Sequence, residues 1–260
     1  MKVKILIATL LILLSSVAVQ AAVITRNIAY QHAGENLEGF LAYDDAVKGK
    51  RPAVLIVHEW WGLTDYVRDR ARQLAALGYT VFALDMYGKG RVTEHPDKAS
   101  EWMKQVSQNV SLWRERAAAG MAVLQKQPQT DTQRMAAIGY CFGGATVQQL
   151  AYTGADLRGI VSFHGQPIAP EEGAAGRVKA SILLCHGAAD PFIGPEQIQA
   201  YLTAMEAAKL RFTLIAYSGA KHGFTNPNAD RMNMAALAYN PSADRHSWEH
   251  MKLFFGEILR

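Results

Sequence analysis

The chain lacks several features that would assign it to a large class of proteins. It has only two cysteines in 260 residues, and no group of His, Cys, Asp and Glu has the spacing of a zinc site, so no metal is predicted. Its basic residues are scattered and form no stripe interleaved with aromatics, which gives no support for nucleic-acid binding. No internal repeat or low-complexity linker divides the chain, and 50% of its residues are hydrophobic. One globular domain is therefore expected.

The one long apolar run lies at the N-terminus. Residues 1–4 form a short basic start, residues 5–14 are apolar apart from Thr9, and small residues occupy positions 19 and 21. This pattern predicts a signal peptide over residues 1–21, cleaved after Ala21. An uncleaved anchor is the alternative, but the apolar core is short for spanning a bilayer. We predict a mature domain of residues 22–260 that is secreted or periplasmic and has no membrane attachment after cleavage.

The two cysteines are Cys141 and Cys185. An even count in an exported protein invites a disulfide bond. Both cysteines, however, follow apolar runs typical of buried strands, and Cys141 also has the surroundings of a nucleophile. We therefore predict two free thiols.

The hydrophobic pattern predicts an α/β fold with a mostly parallel sheet and helices on both faces. Residues 22–30 and 37–43 alternate like a pair of antiparallel strands. Further strands are predicted at 52–57, 80–84, 134–139, 159–163, 180–185 and 212–217. Helices are predicted at 66–77, 100–126, 145–151, 195–209 and 242–259, the last one capped by Ser242. In such sheets ligands bind beyond the carboxyl ends of the strands.

The most informative motif is Gly139-Tyr-Cys141-Phe-Gly143-Gly144, between a predicted strand and a predicted helix. A Gly-x-nucleophile-x-Gly turn in that position is a nucleophile elbow, here with cysteine where serine is usual. The motif alone is also compatible with a buried structural cysteine beside a packing glycine.

A cysteine nucleophile needs a base, and the base needs a group that orients it. In α/β hydrolases the chain order is nucleophile, acid, histidine, each just beyond a strand. Asp190 follows the strand that ends at Cys185, and His222 follows the strand that ends at Tyr217. Alone, Asp190 could be a turn residue and His222 an exposed loop residue. Their joint occurrence in this order predicts a Cys141–His222–Asp190 triad.

The segment His58-Glu59-Trp60-Trp61-Gly62 follows the first buried strand. α/β hydrolases place one oxyanion-hole amide at this point and the other directly after the nucleophile. We therefore predict that the backbone N–H groups of Trp60 and Phe142 form the oxyanion hole. Glu59 is unexpected, because a carboxylate near a thiol disfavours the thiolate. A surface glutamate without a role is the alternative.

Taken together, these segments resemble the dienelactone hydrolase family of the α/β-hydrolase superfamily over almost the whole mature chain. The resemblance rests on residues 58–63, 77–87, 139–144, 187–191 and 222–224. It implies that Cys141, Asp190 and His222 are catalytic. It also implies that Glu59 holds the resting cysteine as a neutral thiol until substrate displaces the glutamate.

Two positions depart from the family pattern. The type member binds a substrate carboxylate through two arginines, and the matching positions here are Lys89 and Asn226. Lysine supplies a charge without a bidentate fork, and asparagine supplies no charge. Arg91 is a nearby alternative cation that the sequence does not place.

The residues Trp60, Trp61, Tyr140 and Phe192 suggest a pocket with aromatic walls, although Trp61 and Tyr140 could equally belong to the core. The predicted function is hydrolysis of a small ester or lactone through an acyl-cysteine, by a monomer that needs no cofactor and has no nucleic-acid partner. A non-catalytic ligand-binding or scaffold protein on the same fold is the alternative.

Overall fold

A computed structural model describes residues 23–260, in which the sheet begins with a hairpin. Strand β1 (Val23–His32) pairs antiparallel with β2 (Glu35–Asp44) along its whole length. The two residues between them, Ala33 and Gly34, have φ values of 50° and 77°. Positive φ at both positions is what a tight hairpin turn requires. The predicted pair of strands is confirmed, whereas the predicted signal peptide lies outside the described residues.

The other strands form the parallel part of the sheet. They are β3 (Arg51–Val57), β4 (Thr80–Leu84), β5 (Thr130–Tyr140), β6 (Gly159–Phe163), β7 (Ser181–Gly187) and β8 (Phe212–Tyr217). Residues 23–260 thus build an eight-stranded sheet in the order β1-β2-β4-β3-β5-β6-β7-β8. β2 also pairs antiparallel with β4, and all later pairings are parallel. The predicted mostly parallel sheet is confirmed.

Helices cover both faces of this sheet. They are α1 (Asp65–Ala76), α2 (Pro96–Ser107), α3 (Val110–Gln125), α4 (Phe142–Tyr152), α5 (Pro195–Ala207) and α6 (Pro241–Ile258). Helices α1 and α6 pack on one face, where their buried residues cluster with Val54 and Ile56 of β3. Helices α2 to α5 pack on the other face, against Leu55 and Val57 of the same strand. A continuous apolar strand is the consequence of burial on both faces.

The structure corrects two features of the predicted helices. The predicted helix over 100–126 is two helices, because Asn109 adopts an extended conformation and its side chain accepts a hydrogen bond from the Leu112 N–H at 3.1 Å. The predicted cap of the last helix, Ser242, is wrong. Asn240 caps α6 by accepting from the Ala243 N–H at 3.0 Å, and Pro241 follows in the first turn, where its missing N–H costs no hydrogen bond.

The two cysteines are both free, as predicted, with Cys185 buried and Cys141 partly buried. Across residues 23–260, no helix combines the length and the apolarity needed to cross a membrane.

Candidate active site

Cys141 stands on a sharp turn between β5 and α4. Its φ of 54° and ψ of −115° are unusual for a residue with a side chain. The turn needs glycine nearby: a Cβ on Gly139 would lie 2.0 Å from the Gly143 carbonyl oxygen, and one on Gly143 would lie 2.1 Å from the Val57 carbonyl oxygen. The glycines therefore allow the turn to press against the sheet, and the Cys141 side chain projects from it with the geometry of a nucleophile elbow.

Asp190 and His222 meet beyond the carboxyl ends of β7 and β8. The His222 Nδ1 lies 2.7 Å from Asp190 Oδ2, and both residues are buried. The other carboxylate oxygen of Asp190 accepts a hydrogen bond from the Phe192 N–H at 2.9 Å. Each oxygen therefore has its own donor, which fixes the orientation of the carboxylate and, through it, that of the imidazole.

The surroundings of His222 favour its protonated form. Burial by itself would lower the pKa of His222, but the Cys141 sulfur and the Asp190 carboxylate, by charge and by hydrogen bonding, raise this pKa to about 10. A positive imidazolium is the species that accompanies a cysteine thiolate. The site can therefore hold charge on His222 when Cys141 ionises.

The two residues predicted to supply the oxyanion-hole amides, Trp60 and Phe142, line one cavity together with Cys141. Phe142 is the first residue of α4, so its N–H has no partner within the helix. Within residues 23–260, neither the Phe142 N–H nor the Trp60 N–H donates a hydrogen bond. The segment before Trp60 is held by His58, whose Nε2 accepts from the Met86 N–H at 3.1 Å while its Nδ1 contacts the Glu59 carbonyl oxygen at 2.6 Å. Burial lowers the pKa of His58, which keeps the ring neutral for this role.

Glu59 is turned toward Asn226. The Asn226 Nδ2 donates to Glu59 Oε2 at 2.7 Å, and both side chains are buried. The Asn226 Oδ1 accepts from the Asn228 N–H at 2.9 Å, so the amide cannot flip without losing that bond. In this conformation the hydrogen bond of the carboxylate goes to Asn226, whereas the resemblance implies a contact with the Cys141 thiol.

Burial raises the pKa of Glu59 to about 7, although the Asn226 hydrogen bond and the charges of His222 and Arg70 oppose the shift. The pKa is thus higher in the folded state than the ordinary value of 4.5. The stability that comes from this shift is full below pH 4.5 and is lost as the pH rises through 7.

We therefore expect Glu59→Gln to gain stability relative to the parent between pH 4.5 and pH 7, by about 1–3 kcal/mol. Urea unfolding at a series of pH values measures the difference. Glu171 provides the control, because its hydrogen bond with Arg114 lowers its pKa, so Glu171→Gln should lose stability relative to the parent as the pH rises. A Glu59→Gln difference that does not change with pH would contradict the prediction.

A buried polar network behind His222 was not anticipated from the sequence. The Thr225 Oγ1 lies 2.7 Å from the Tyr66 hydroxyl and 2.8 Å from His164 Nε2. The Arg70 guanidinium donates to the Thr225 carbonyl oxygen at 2.8 Å and pairs with Asp244. The His164 ring meets the His222 ring edge to face at 5.2 Å between centroids. Through His164, the His222 ring thus contacts a network that joins helices α1 and α6 to the segments following β6 and β8.

An apolar cavity of about 450 Å³ opens at Cys141 and His222. Its polar lining beyond these two comes from Ser107 and Gln166. The rest of the wall is apolar and is formed by Trp60, Met103, Trp113, Phe142, Ala145, Ile168, Phe192, Met234 and Leu237. Phe192 also packs edge to face on the His222 ring, with 5.1 Å between centroids.

Of the residues predicted to form the pocket, Trp60 and Phe192 line this cavity. Tyr140 does not, because its fully buried ring packs between Phe163 and Tyr66 in the core. Trp61 is also buried and belongs to a separate apolar cluster with Ala99 and Leu237. The core alternative therefore holds for both residues.

The two positions that match the substrate-binding arginines of the type member also lie away from the cavity wall. Lys89 is exposed and forms an ion pair with Glu38 at 3.0 Å. Asn226 is buried and bonded to Glu59. The alternative cation, Arg91, pairs with Glu35 at 3.4 Å and donates to the Tyr87 carbonyl oxygen.

The chain is similar to known proteins over most of its length. A dienelactone hydrolase-like promiscuous phosphotriesterase from metagenomic libraries is 36% identical, with a TM-score of 0.89 over 92% of this chain and all of that one. A protein of Saccharolobus solfataricus named "Putative carboxymethylenebutenolidase" is 27% identical over 90% of this chain and 99% of its own length. The acylaminoacyl peptidase of Pyrococcus horikoshii, at 14% identity and a TM-score of 0.70, covers 92% of this chain but 42% of its own and shares the fold alone.

The profile of the dienelactone hydrolase family matches residues 37–259. The matched range includes the elbow, Asp190, His222 and Glu59. The chain has the α/β-hydrolase fold and belongs to the dienelactone hydrolase family.

Proposed function

We propose that this hydrolase cleaves an ester or lactone through a covalent acyl-cysteine at Cys141. The observation that carries the proposal is the pairing of a strained cysteine with an oriented histidine. Cys141 is held at a φ of 54°, His222 is hydrogen-bonded to Asp190 at 2.7 Å, and Cys141 and His222 line the same apolar cavity. A cysteine that is merely structural needs neither a strained backbone nor an oriented histidine.

In the first half of the reaction, His222 takes the proton of the Cys141 thiol. The sulfur forms a bond to the carbonyl carbon, and the carbonyl electron pair moves to oxygen, where the N–H groups of Trp60 and Phe142 stabilise the negative charge. Each such donor contributes roughly 3–4 kcal/mol in related chemistry. The electron pair on that oxygen then re-forms the carbonyl double bond. The bond between the carbonyl carbon and the leaving oxygen breaks, and His222 gives its proton to the departing alcohol.

In the second half, water releases the acid. His222 takes a proton from the water, whose oxygen bonds to the thioester carbon. The carbon–sulfur bond breaks, and the proton returns to Cys141. Asp190 keeps the Nδ1 proton of His222 in place throughout, so that Nε2 is the nitrogen that exchanges protons with the reacting atoms.

Intact-mass spectrometry after rapid mixing with 4-nitrophenyl butyrate tests this proposal. We expect one added butyryl group in the parent enzyme and none in Cys141→Ala. Cys185 offers a matched control, because burial raises the pKa of its thiol to about 12 despite the hydrogen bond from Tyr217. Cys185→Ala should therefore still form the adduct. Nitrophenolate release that survives in Cys141→Ala would refute the acyl-cysteine.

The same experiment separates the enzyme from a non-catalytic binding protein. If neither turnover nor an adduct appears with any ester or lactone in a panel, the binding alternative is favoured.

A 4-nitrophenyl dialkyl phosphate belongs in that panel, because the relative at 36% identity is described as a promiscuous phosphotriesterase. Turnover of this phosphate that is lost in Cys141→Ala would assign the second activity to the same sulfur. Export by a signal peptide and a monomeric state stay predictions.

A further inference from the structure

Within residues 23–260, and apart from Cys141 and His222, the cavity has no charged side chain that could bind a substrate. Among the residues that the structure describes, its wall contains no lysine, arginine, aspartate or glutamate. Met103, Trp113 and Met234 form large apolar surfaces, and Gln166 and Ser107 are the neutral polar groups. A ligand that enters this cavity therefore replaces its contacts with water by contacts with aliphatic and aromatic carbon.

Three cations described above, Lys89, Arg91 and Arg70, are engaged by other groups. Lys89 is paired with Glu38, and Arg91 with Glu35. Arg70 is buried and does not line the cavity; it is paired with Asp244 and bonded to the Thr225 carbonyl oxygen. Each of these groups would have to give up an existing partner before it could meet a substrate anion.

The charges close to the reacting atoms are also unfavourable for an anion. When Cys141 ionises, its sulfur is negative, as is the Asp190 carboxylate, and their positive partner His222 is already hydrogen-bonded to Asp190. Glu59 is buried directly before Trp60 and adds a further negative charge when it ionises. A substrate carboxylate in the cavity would lose its hydration and find no free counter-charge.

We infer that the substrates of this enzyme are uncharged esters or lactones with an apolar acyl group, and that a free carboxylate on the substrate is discriminated against. The inference rests on the proposed acyl-cysteine function. The cavity volume of about 450 Å³ suits groups the size of a short branched chain or an aromatic ring, since ligand pockets start at roughly 300 Å³. Met103 and Met234 are flexible side chains that adapt to different acyl shapes.

A matched pair of esters tests the inference. The 4-nitrophenyl ester of 5-methylhexanoic acid and the mono-4-nitrophenyl ester of glutaric acid share the leaving group and the chain length, and differ in an isopropyl end against a carboxylate end. We expect kcat/KM to be at least about 100-fold higher for the neutral ester at pH 8, because only the carboxylate must be desolvated without a partner. Equal or faster hydrolysis of the charged ester would overturn the inference.

A charge placed in the wall should reverse part of this preference. Gln166 lies exposed at the cavity, so Gln166→Arg can be accommodated without disturbing the core. We expect this variant to raise the charged-to-neutral ratio of kcat/KM at least about tenfold, whereas the uncharged control Gln166→Leu should not raise it. An unchanged ratio in folded Gln166→Arg would contradict the claim that the missing cation sets the preference.

The outcomes keep the inference apart from the proposed function. Acylation of Cys141 by both esters, with the charged ester preferred, would refute the inferred substrate class but would still support the acyl-cysteine. Turnover of either ester without an acyl group on Cys141 would refute the proposed function and, with it, the inference.

Discussion

Replacing Asp190 with asparagine is expected to lower kcat/KM by about 10³- to 10⁴-fold while leaving the fold intact. In the parent, Asp190 Oδ1 accepts from the Phe192 N–H and Oδ2 accepts from His222 Nδ1. The amide oxygen of asparagine will stay with the Phe192 N–H, so its NH₂ group must face His222 Nδ1. A donor at that point favours the tautomer with its proton on Nε2, which cannot take the proton of Cys141.

Stopped-flow release of 4-nitrophenolate, together with thermal unfolding, measures both parts of this prediction. Asp156 serves as the control, because it is an exposed aspartate that pairs with Lys179 and precedes β6, at the sheet edge opposite the one where the site lies. Asp156→Asn should retain parental kcat/KM. A loss of less than about tenfold in folded Asp190→Asn would mean that Asp190 does not orient the base.

Asparagine at position 190 should also alter the pH dependence of the reaction. The carboxylate is one of the groups that hold the pKa of His222 up to about 10 against the effect of burial. Without its charge the pKa of His222 falls, and the imidazolium that accompanies the thiolate is lost at a lower pH. The Asp190 carboxylate therefore both orients the His222 ring and stabilises its positive charge. The isosteric asparagine removes both effects, which is why the expected loss of kcat/KM is so large.

The elements of the fold were predictable because their sequence pattern depends on burial. The apolar run at 80–84 coincides with β4, which is buried throughout because the sheet is covered on both faces there. The run at 212–217 coincides with β8, although this edge strand is only partly buried. Cys141, Asp190 and His222 were predicted by the same logic, because each lies within five residues of the end of an apolar strand. Helix ends were less predictable: Asn109 and Asn240 act as caps, and a cap is decided by local backbone geometry that hydrophobic periodicity does not report.

The lining of the site could not be read from the sequence for a different reason. Proximity to a motif does not say on which face of the sheet a side chain lies. Tyr140 directly precedes Cys141 and Trp61 directly follows Trp60, yet both are core residues. The partner of Glu59 is Asn226, which is 167 positions away, and the Tyr66–Thr225–His164 contacts join three separate elements. Such pairings depend on the folded chain as a whole.

Gly139→Ala is expected to have the largest effect on the fold itself. The added methyl group would lie 2.0 Å from the Gly143 carbonyl oxygen and 2.7 Å from the Gly144 nitrogen. Both are backbone atoms of the turn, so the elbow must move away from β5, and Cys141 with it. We expect a loss of about 3 kcal/mol or more in the free energy of unfolding, together with loss of acylation at Cys141.

Gly256 is a matched control for the same chemical change, because an added Cβ at that exposed position in α6 would meet no atom within 4 Å. There alanine should raise stability by about 0.5–1 kcal/mol, since it loses less conformational freedom in a helix than glycine does. Urea unfolding compares the two variants, and the acyl-adduct assay reports the state of the elbow. Parental stability and acylation in Gly139→Ala would show that the turn tolerates a side chain, so that the strain at Cys141 does not depend on the close packing of Gly139 against Gly143.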